Sequence, residues 1–285
     1  VSYTLTDQMS MLDDKLQVIL GARYQDIDTK NLYKKTKYSS DKLSPSLGLV
    51  VKPFGEDLSF YASYVEGLSE GVTVSDITYP TATNKGETLA PYQTKQYELG
   101  TKYQVGFWLN TLALYQIEKP EAYLDSTNLE VKDDAETRSR GIEFSTAGQL
   151  TEDLSLMANL AYIDAEYVKS GTASQVGNTV IGTPDFTAGL GLDYKIPVVE
   201  GLSVNGRASY VSEQYLDSTN KLELPDYTIL DVGARYKTKL GGVHTTFLAN
   251  VDNVTNKKYW EGVFNSYYAT VGGARTYKLG VTFDF

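Results

Sequence analysis

The sequence offers a single imidazole for chemistry, at His244, and no cysteine. A serine-type triad, a thiolate nucleophile and a zinc site of imidazoles or thiolates all need partners that are missing. His244 falls at a strand end on the polar side of an alternating pattern, where a solvated imidazole explains it. Carboxylates do recur near cations, since Glu98, Glu143 and Asp231 share that polar side with Lys102, Arg207 and Arg235. Paired charges lining water or a packed domain account for them better than acid–base catalysis. The glycine pairs Gly189/Gly191 and Gly272/Gly273 lack the strand-then-helix context of a phosphate loop, so close packing and turning is preferred for them. No catalytic residue, metal ligand or cofactor is assigned.

Ligand capture is the activity these residue types suit. Tyrosine is abundant, 23 residues against 9 Phe and 2 Trp. Tyr79, Tyr92, Tyr123, Tyr167, Tyr215, Tyr227, Tyr259, Trp260, Phe264, Tyr267 and Tyr268 fall in long connections or at the strand ends beside them. Rings grip flat or aliphatic surfaces at small entropic cost, and hydroxyls add hydrogen bonds. Tyr92, Tyr215, Tyr227, Trp260, Tyr267 and Tyr268 are the candidate ligand-binding residues. A net charge of −10 without a basic stripe argues against a nucleic-acid partner.

Something must hold these rings in place, and the hydropathy pattern says what. No apolar run is long enough for a membrane-spanning helix. Instead the chain repeats about a dozen residues of strict alternation, then a gap. Short gaps fall near Met11–Asp14, Phe54–Asp57, Gln104–Gly106, Thr151–Asp153, Pro197–Gly201 and Lys239–Gly242. Long ones fall near 28–41, 67–91, 119–137, 167–182, 216–225 and 253–273. Tight turns at one end and long loops at the other are the layout of an outer-membrane β-barrel.

Within strands, Leu16, Val18, Leu20, Ala22 and Tyr24 oppose Gln17, Ile19, Gly21 and Arg23, and Ala188, Leu190, Leu192, Tyr194 and Ile196 oppose Gly189, Gly191, Asp193 and Lys195. From residue 16 onward, about fifty apolar-side positions carry no charge in a chain that is 22% charged. Random assignment would have put about ten there. A soluble sandwich shares the period of two. It lacks the glycine-rich, mixed-charge second face and the bounding tyrosines, Tyr24, Tyr64, Tyr103, Tyr162, Tyr194, Tyr210, Tyr236 and Tyr277. The expected fold is all-β, a transmembrane antiparallel up-and-down barrel. Thirteen strands are expected, near 2–10, 15–27, 42–53, 58–66, 92–103, 107–118, 138–149, 154–166, 183–196, 202–215, 226–238, 243–252 and 274–285. Bacterial single-chain barrels close with an even number, so the odd count implies a fragment.

Six stretches resemble, in order, the C-terminal barrel of TonB-dependent siderophore receptors. They are Leu16–Tyr24 (LQVILGARY), Ser44–Pro53 (SPSLGLVVKP), Thr94–Tyr103 (TKQYELGTKY), Arg138–Phe144 (RSRGIEF), Asn250–Tyr259 (NVDNVTNKKY) and Gly273–Phe285 (GARTYKLGVTFDF). The resemblance implies a barrel of about 22 strands around an N-terminal plug that contacts TonB. On that reading residues 1–285 are the C-terminal part of the barrel, with the plug and first strands absent from this chain. It implies capture and TonB-energised uptake of a ferric siderophore in the bacterial outer membrane, by a monomer rather than an enzyme. Iron would arrive already chelated, so no protein ligand set is expected. Arg275, on the outer face at the extracellular rim, is matched to lipopolysaccharide phosphate beside the membrane lipid. A receptor for haem, cobalamin or a glycan, an autotransporter translocator and a diffusive porin stay open as alternatives.

Overall fold

A computed structural model describes residues 1–31, 36–265 and 268–285. Seventeen strands follow one another: β1 Ser2–Met11, β2 Leu16–Asn31, β3 Thr36–Val51, β4 Leu58–Ser69, β5 Tyr92–Val105, β6 Trp108–Asp125, β7 Glu130–Gln149, β8 Leu154–Lys169, β9 Phe186–Lys195, β10 Leu202–Val211, β11 Gln214–Tyr215, β12 Glu223–Leu224, β13 Tyr227–Leu240, β14 Val243–Asp252, β15 Trp260–Asn265, β16 Tyr268–Val271 and β17 Thr276–Asp284. Thirteen of them form one sheet whose neighbours follow chain order, β1 to β10, then β13, β14 and β17. β11–β12 and β15–β16 are separate two-stranded hairpins. All thirteen expected strands are present.

The registers keep the two faces apart. Ala158, Leu190, Ala208 and Leu230 lie side by side across β8, β9, β10 and β13. The next row is Met157, Gly191, Arg207 and Asp231, on the other face. On the apolar face Leu20, Leu47, Leu49, Leu99, Leu112, Leu114, Leu160, Leu190, Leu192, Val204, Leu230, Val232 and Leu279 are exposed to solvent. A sandwich would bury them in a core. Among the described residues the buried apolar ones are Val74, Ala82, Leu89, Val131, Ala135, Ala165, Leu224 and Tyr227, which sit in connections or in the loop-side parts of the strands. This inversion fits lipid as the solvent for mid-strand. Asp7, opposite Leu20 in the β1–β2 register, departs from the apolar row.

Two compact units are distinguished. The first comprises Val1–Thr101, Ala113–Gly141 and Asp164–Val180, and holds β1–β4 with the loop-side parts of β5–β8. The second comprises Lys102–Leu112, Ile142–Ile163 and Ile181–Phe285, with the turn-side parts of β5–β8 and everything from β9 on. In the first, glycines of the polar face seat aromatic rings. A side chain at Gly100 would collide with the Tyr61 ring, and one at Gly141 with Tyr115. Tyr61 also donates to Glu98 Oε1 at 2.6 Å. This covering of a bare glycine by a neighbouring ring stiffens a sheet where glycine alone would weaken it.

The tight-turn side matches expectation, with Gly106, Gly201, Gly241 and Gly242 supplying positive φ. The other side differs. Strands β6 and β7 continue to Asp125 and resume at Glu130, where a long loop over 119–137 was expected. β3 likewise begins at Thr36, inside the expected loop 28–41, of which positions 32–35 lie outside the described residues. The physical reason is that alternation reports lipid contact only. Above the membrane both faces of a ladder are polar, so its hydrogen bonds continue where the pattern fades.

Candidate functional site

In the first unit the connection 70–91 is folded on itself and onto the tip of β6–β7. Val74, Ala82, Leu89 and Val131 form a small core, packed also by Val72, Tyr79, Ala122 and Leu124. Val74 N donates to Glu87 O at 2.8 Å, Gly86 N to Val74 O at 2.9 Å and Leu89 N to Val72 O at 3.0 Å. Asn84 then pins the fold to β7. Its Nδ2 donates to Val131 O at 3.0 Å and its Oδ1 accepts from Val131 N at 2.9 Å. Thr83 N adds a bond to Leu129 O at 2.7 Å.

Tyr79 and Tyr92 lie in this assembly. Burial, and then the charge of Glu121, push the Tyr79 hydroxyl above its ordinary pKa. Tyr92 begins β5. Its hydroxyl is shut off from solvent beside the backbone of Val72, in electrostatic reach of Tyr79, Asp133 and Glu121.

The second unit holds Tyr215, Tyr227, Tyr259 and Trp260. Tyr215 lies in the short hairpin β11–β12, opposite Glu223, and its carbonyl accepts from Gly182 N at 2.9 Å. The charge of Glu223, then burial, raise its hydroxyl pKa. Tyr227 is buried, with its ring 4.4 Å from that of Tyr259 at 37°. Its hydroxyl donates to Glu261 O at 3.1 Å. Tyr259 rests on Gly272, where any side chain would overlap its ring, and Gly272 N donates to Tyr259 O at 2.9 Å. Burial, and then Glu261, raise the Tyr259 pKa. Trp260 opens β15 opposite Val271 and is exposed, as is Tyr268 in β16. Tyr267 lies outside the described residues, as does the side chain of Phe264.

The structure thus brings Tyr227 and Tyr259 together at the foot of the β15–β16 hairpin and presents Trp260 and Tyr268 on it. Tyr92 belongs to the first unit and Tyr215 to a different hairpin of the second. Sequence reasoning passed over Asn84, Asp217 and Asn253, which order the connections. A repeat could have found one of them, since Tyr-Leu-Asp-Ser-Thr-Asn occurs at 123–128 and again at 215–220. Both copies make hairpin tips turned by their aspartate. Asp125 Oδ1 accepts from Thr127 N at 2.8 Å. Asp217 accepts from Thr219 N at 3.0 Å, Lys221 N at 2.9 Å and Leu222 N at 2.7 Å, and from the Thr219 hydroxyl. The Thr219 hydroxyl, then the Leu222 amide, hold its carboxyl down at about 2.

The polar face carries ion pairs: Arg207–Asp231 at 2.6 Å, Arg235–Asp193 at 3.2 Å and Lys278–Asp252. His244 faces Lys239 and Asp284 across the ladder and borders a hollow of about 990 Å³ with Glu200 and Lys237. Among the described residues no group of three or more His, Asp or Glu is arranged to hold a metal.

Residues 2–254 match the model of the family described as TonB dependent receptor-like, beta-barrel. The ferrichrome receptor FcuA of Yersinia enterocolitica is 33% identical over 99% of this chain and 38% of its own length. The ferrichrome outer membrane transporter/phage receptor of Escherichia coli K12 is 28% identical over 95% of this chain and 36% of its own. The crystal structure of BauA, the ferric preacinetobactin receptor of Acinetobacter baumannii, superposes with a TM-score of 0.89 at 36% identity, covering 100% of this chain and 42% of that one. The chain therefore spans about two fifths of the relatives it matches. The match decides against an autotransporter or a porin. With its registers and its exposed apolar face, the chain belongs to the TonB-dependent receptor β-barrel family of the bacterial outer membrane.

Proposed function

We propose that this chain is barrel wall and extracellular mouth of a receptor that captures a ferric siderophore and takes it up with energy from TonB. Residues 1–285 would be the C-terminal part of the barrel, and the plug that meets TonB and the first strands would belong to the rest of the protein. Relatives more than twice as long support that division. Arg275 is exposed just before β17, where lipopolysaccharide phosphate would reach it. The role is transport by a monomer, without catalysis.

The observation that carries the reading is the hairpin β15–β16. Its foot is fixed by the Tyr227–Tyr259 pair, and it holds Trp260 and Tyr268 out in solvent. Trp260 and Tyr268 stand uncovered on this hairpin, and aromatic rings of that kind suit the flat faces of a chelate. The relatives named for ferrichrome and preacinetobactin point to siderophores as that class.

The test is a titration of the complete receptor with ferrichrome, a ferric triscatecholate and a mixed-donor ferric chelate. Trp260→Ala, Tyr267→Ala and Tyr268→Ala are compared with wild type. Adjacent residues of an extended segment point to opposite sides, so at most one of Tyr267 and Tyr268 should matter if the backbone there is extended. Removing a ring that packs on the chelate should weaken binding by about 0.5–1.5 kcal/mol. Unchanged affinity for all three chelates in all three variants, with normal expression, would make the hairpin a packed lid and move the site to the plug.

A further inference from the structure

One buried side chain fastens both feet of the last long connection, residues 253–275. Asn253 is 3% exposed and adopts a φ of 50°. Its Nδ2 donates to Lys257 O at 2.8 Å and to Gly273 O at 2.9 Å, while its Oδ1 accepts from Lys257 N at 2.8 Å. Asn256 repeats the device one turn on. With a φ of 53°, it donates through its N to Asn253 O at 2.8 Å and accepts at Oδ1 from Arg275 N at 3.2 Å. The outgoing and returning segments are therefore closed on each other at Asn253, and the hairpin β15–β16 hangs from this closure.

The clasp is itself aimed. Asn253 N donates to Asp231 Oδ1 at 2.8 Å. The other carboxylate oxygen, Asp231 Oδ2, accepts from Arg207 Nε at 2.9 Å and Nη2 at 2.6 Å. Asp231 and Arg207 face one another across β10 and β13 on the polar face of the sheet. The Asp231 side chain is 13% exposed and that of Arg207 66%. A continuous line of hydrogen bonds thus runs from a cation on the wall, through one shielded carboxylate, to the closure of the loop. The other ion pairs of that face, Arg235–Asp193 and Lys278–Asp252, have no such continuation among the described residues.

Residue chemistry explains why asparagine stands at 253. Asparagine tolerates the left-handed backbone better than other side chains except glycine. Only an amide offers two donor hydrogens and an acceptor on one short arm. Aspartate would keep the backbone and the acceptor but turn an oxygen toward two carbonyl oxygens, and alanine would leave those carbonyls without a partner.

We infer that Asn253 is a positioning residue, a clasp that fixes the loop carrying Trp260, and that Asp231 and Arg207 hold the clasp in place from the barrel wall. The order of an extracellular loop then depends on an arginine of the polar face. This deepens the proposed function and rests on it in one respect, that the rings of this loop touch the chelate.

The experiment uses the complete receptor in detergent or liposomes. Hydrogen exchange of the 257–272 amides is followed in wild type, Asn253→Asp, Asn253→Ala, Asp231→Asn, Arg207→Gln and Arg207→Lys. Heat-modifiability on gels and the exchange of β9 and β10 report whether the wall is intact. Asn253→Asp should speed loop exchange by about tenfold or more, as the loss of paired buried hydrogen bonds implies. Asp231→Asn should fall between Asn253→Asp and wild type, and Arg207→Lys should restore most of what Arg207→Gln loses. The wall should be unaffected throughout. Loop exchange equal to wild type in Asn253→Asp would overturn the clasp, and equality in Arg207→Gln would overturn the link to the wall. Affinity for the tightest of the three chelates is measured on the same variants. A loosened loop with weakened binding supports both readings. A loosened loop with unchanged binding keeps the clasp and overturns the loop as a ligand contact.

Discussion

Asp217 organises a hairpin tip through one carboxylate. Three backbone N–H groups and the Thr219 hydroxyl point at it, and they favour its ionised form. Its folded pKa of about 2 lies below the ordinary 3.8, so its contribution is fully present above 3.8 and is lost as pH falls from there through about 2. Protection of the Lys221 and Leu222 amides, corrected for intrinsic exchange, should therefore hold to pH 3.8 and decline below it, and Asp217→Ala should lack that protection at every pH. Loss of protection already near pH 5 in wild type would contradict the assignment. Much at this scale was hidden in the sequence. Tyrosine abundance pointed to ring chemistry at the loops, but Tyr227 is committed to Tyr259 and Glu261, partners from a distant segment. Asn84, Asn253 and Asp217 look like ordinary loop residues until their backbone partners are known.

Strand β9 sets the two environments of the wall one residue apart. Leu190 shares its row with Ala158, Ala208 and Leu230, and Gly191 shares the next with Met157, Arg207 and Asp231. Arginine on the lipid side near mid-bilayer costs about 2–4 kcal/mol. Leu190→Arg should accordingly impair assembly far more than Gly191→Ser, read by heat-modifiability on gels, and equal tolerance would refute the register. Elements of this kind were legible because lipid on one side enforces a period of two. Thirteen strands were found where the alternation placed them, with ends shifted by a few residues in most and by six to eight at the loop ends of β3, β6 and β7. The protruding parts of β3, β6 and β7 were not legible, nor were the hairpins β11–β12 and β15–β16. Water on both sides enforces no period, and these elements are held by backbone ladders and caps instead.

The thirteen-stranded ladder begins at β1 and finishes at β17, each bonded to one neighbour in the sheet. Unpaired backbone groups inside a bilayer cost several kcal/mol each. If further strands complete the barrel, residues 1–285 expressed alone with an export signal should fail to give a protease-resistant monomer. A stable monomer with single-channel conductance would show instead that these strands can close by themselves. Co-expression with the remainder of the receptor should restore protease resistance. The connection 70–91 also decides how other molecules see this protein from outside the cell. Asn84 and the core of Val74, Ala82, Leu89 and Val131 tie that surface to the β6–β7 tip, so its shape is made by two stretches that are far apart in the sequence. An antibody raised against a synthetic peptide of either stretch would meet the wrong surface on living bacteria, and an effective immunogen would have to display both stretches in their folded arrangement.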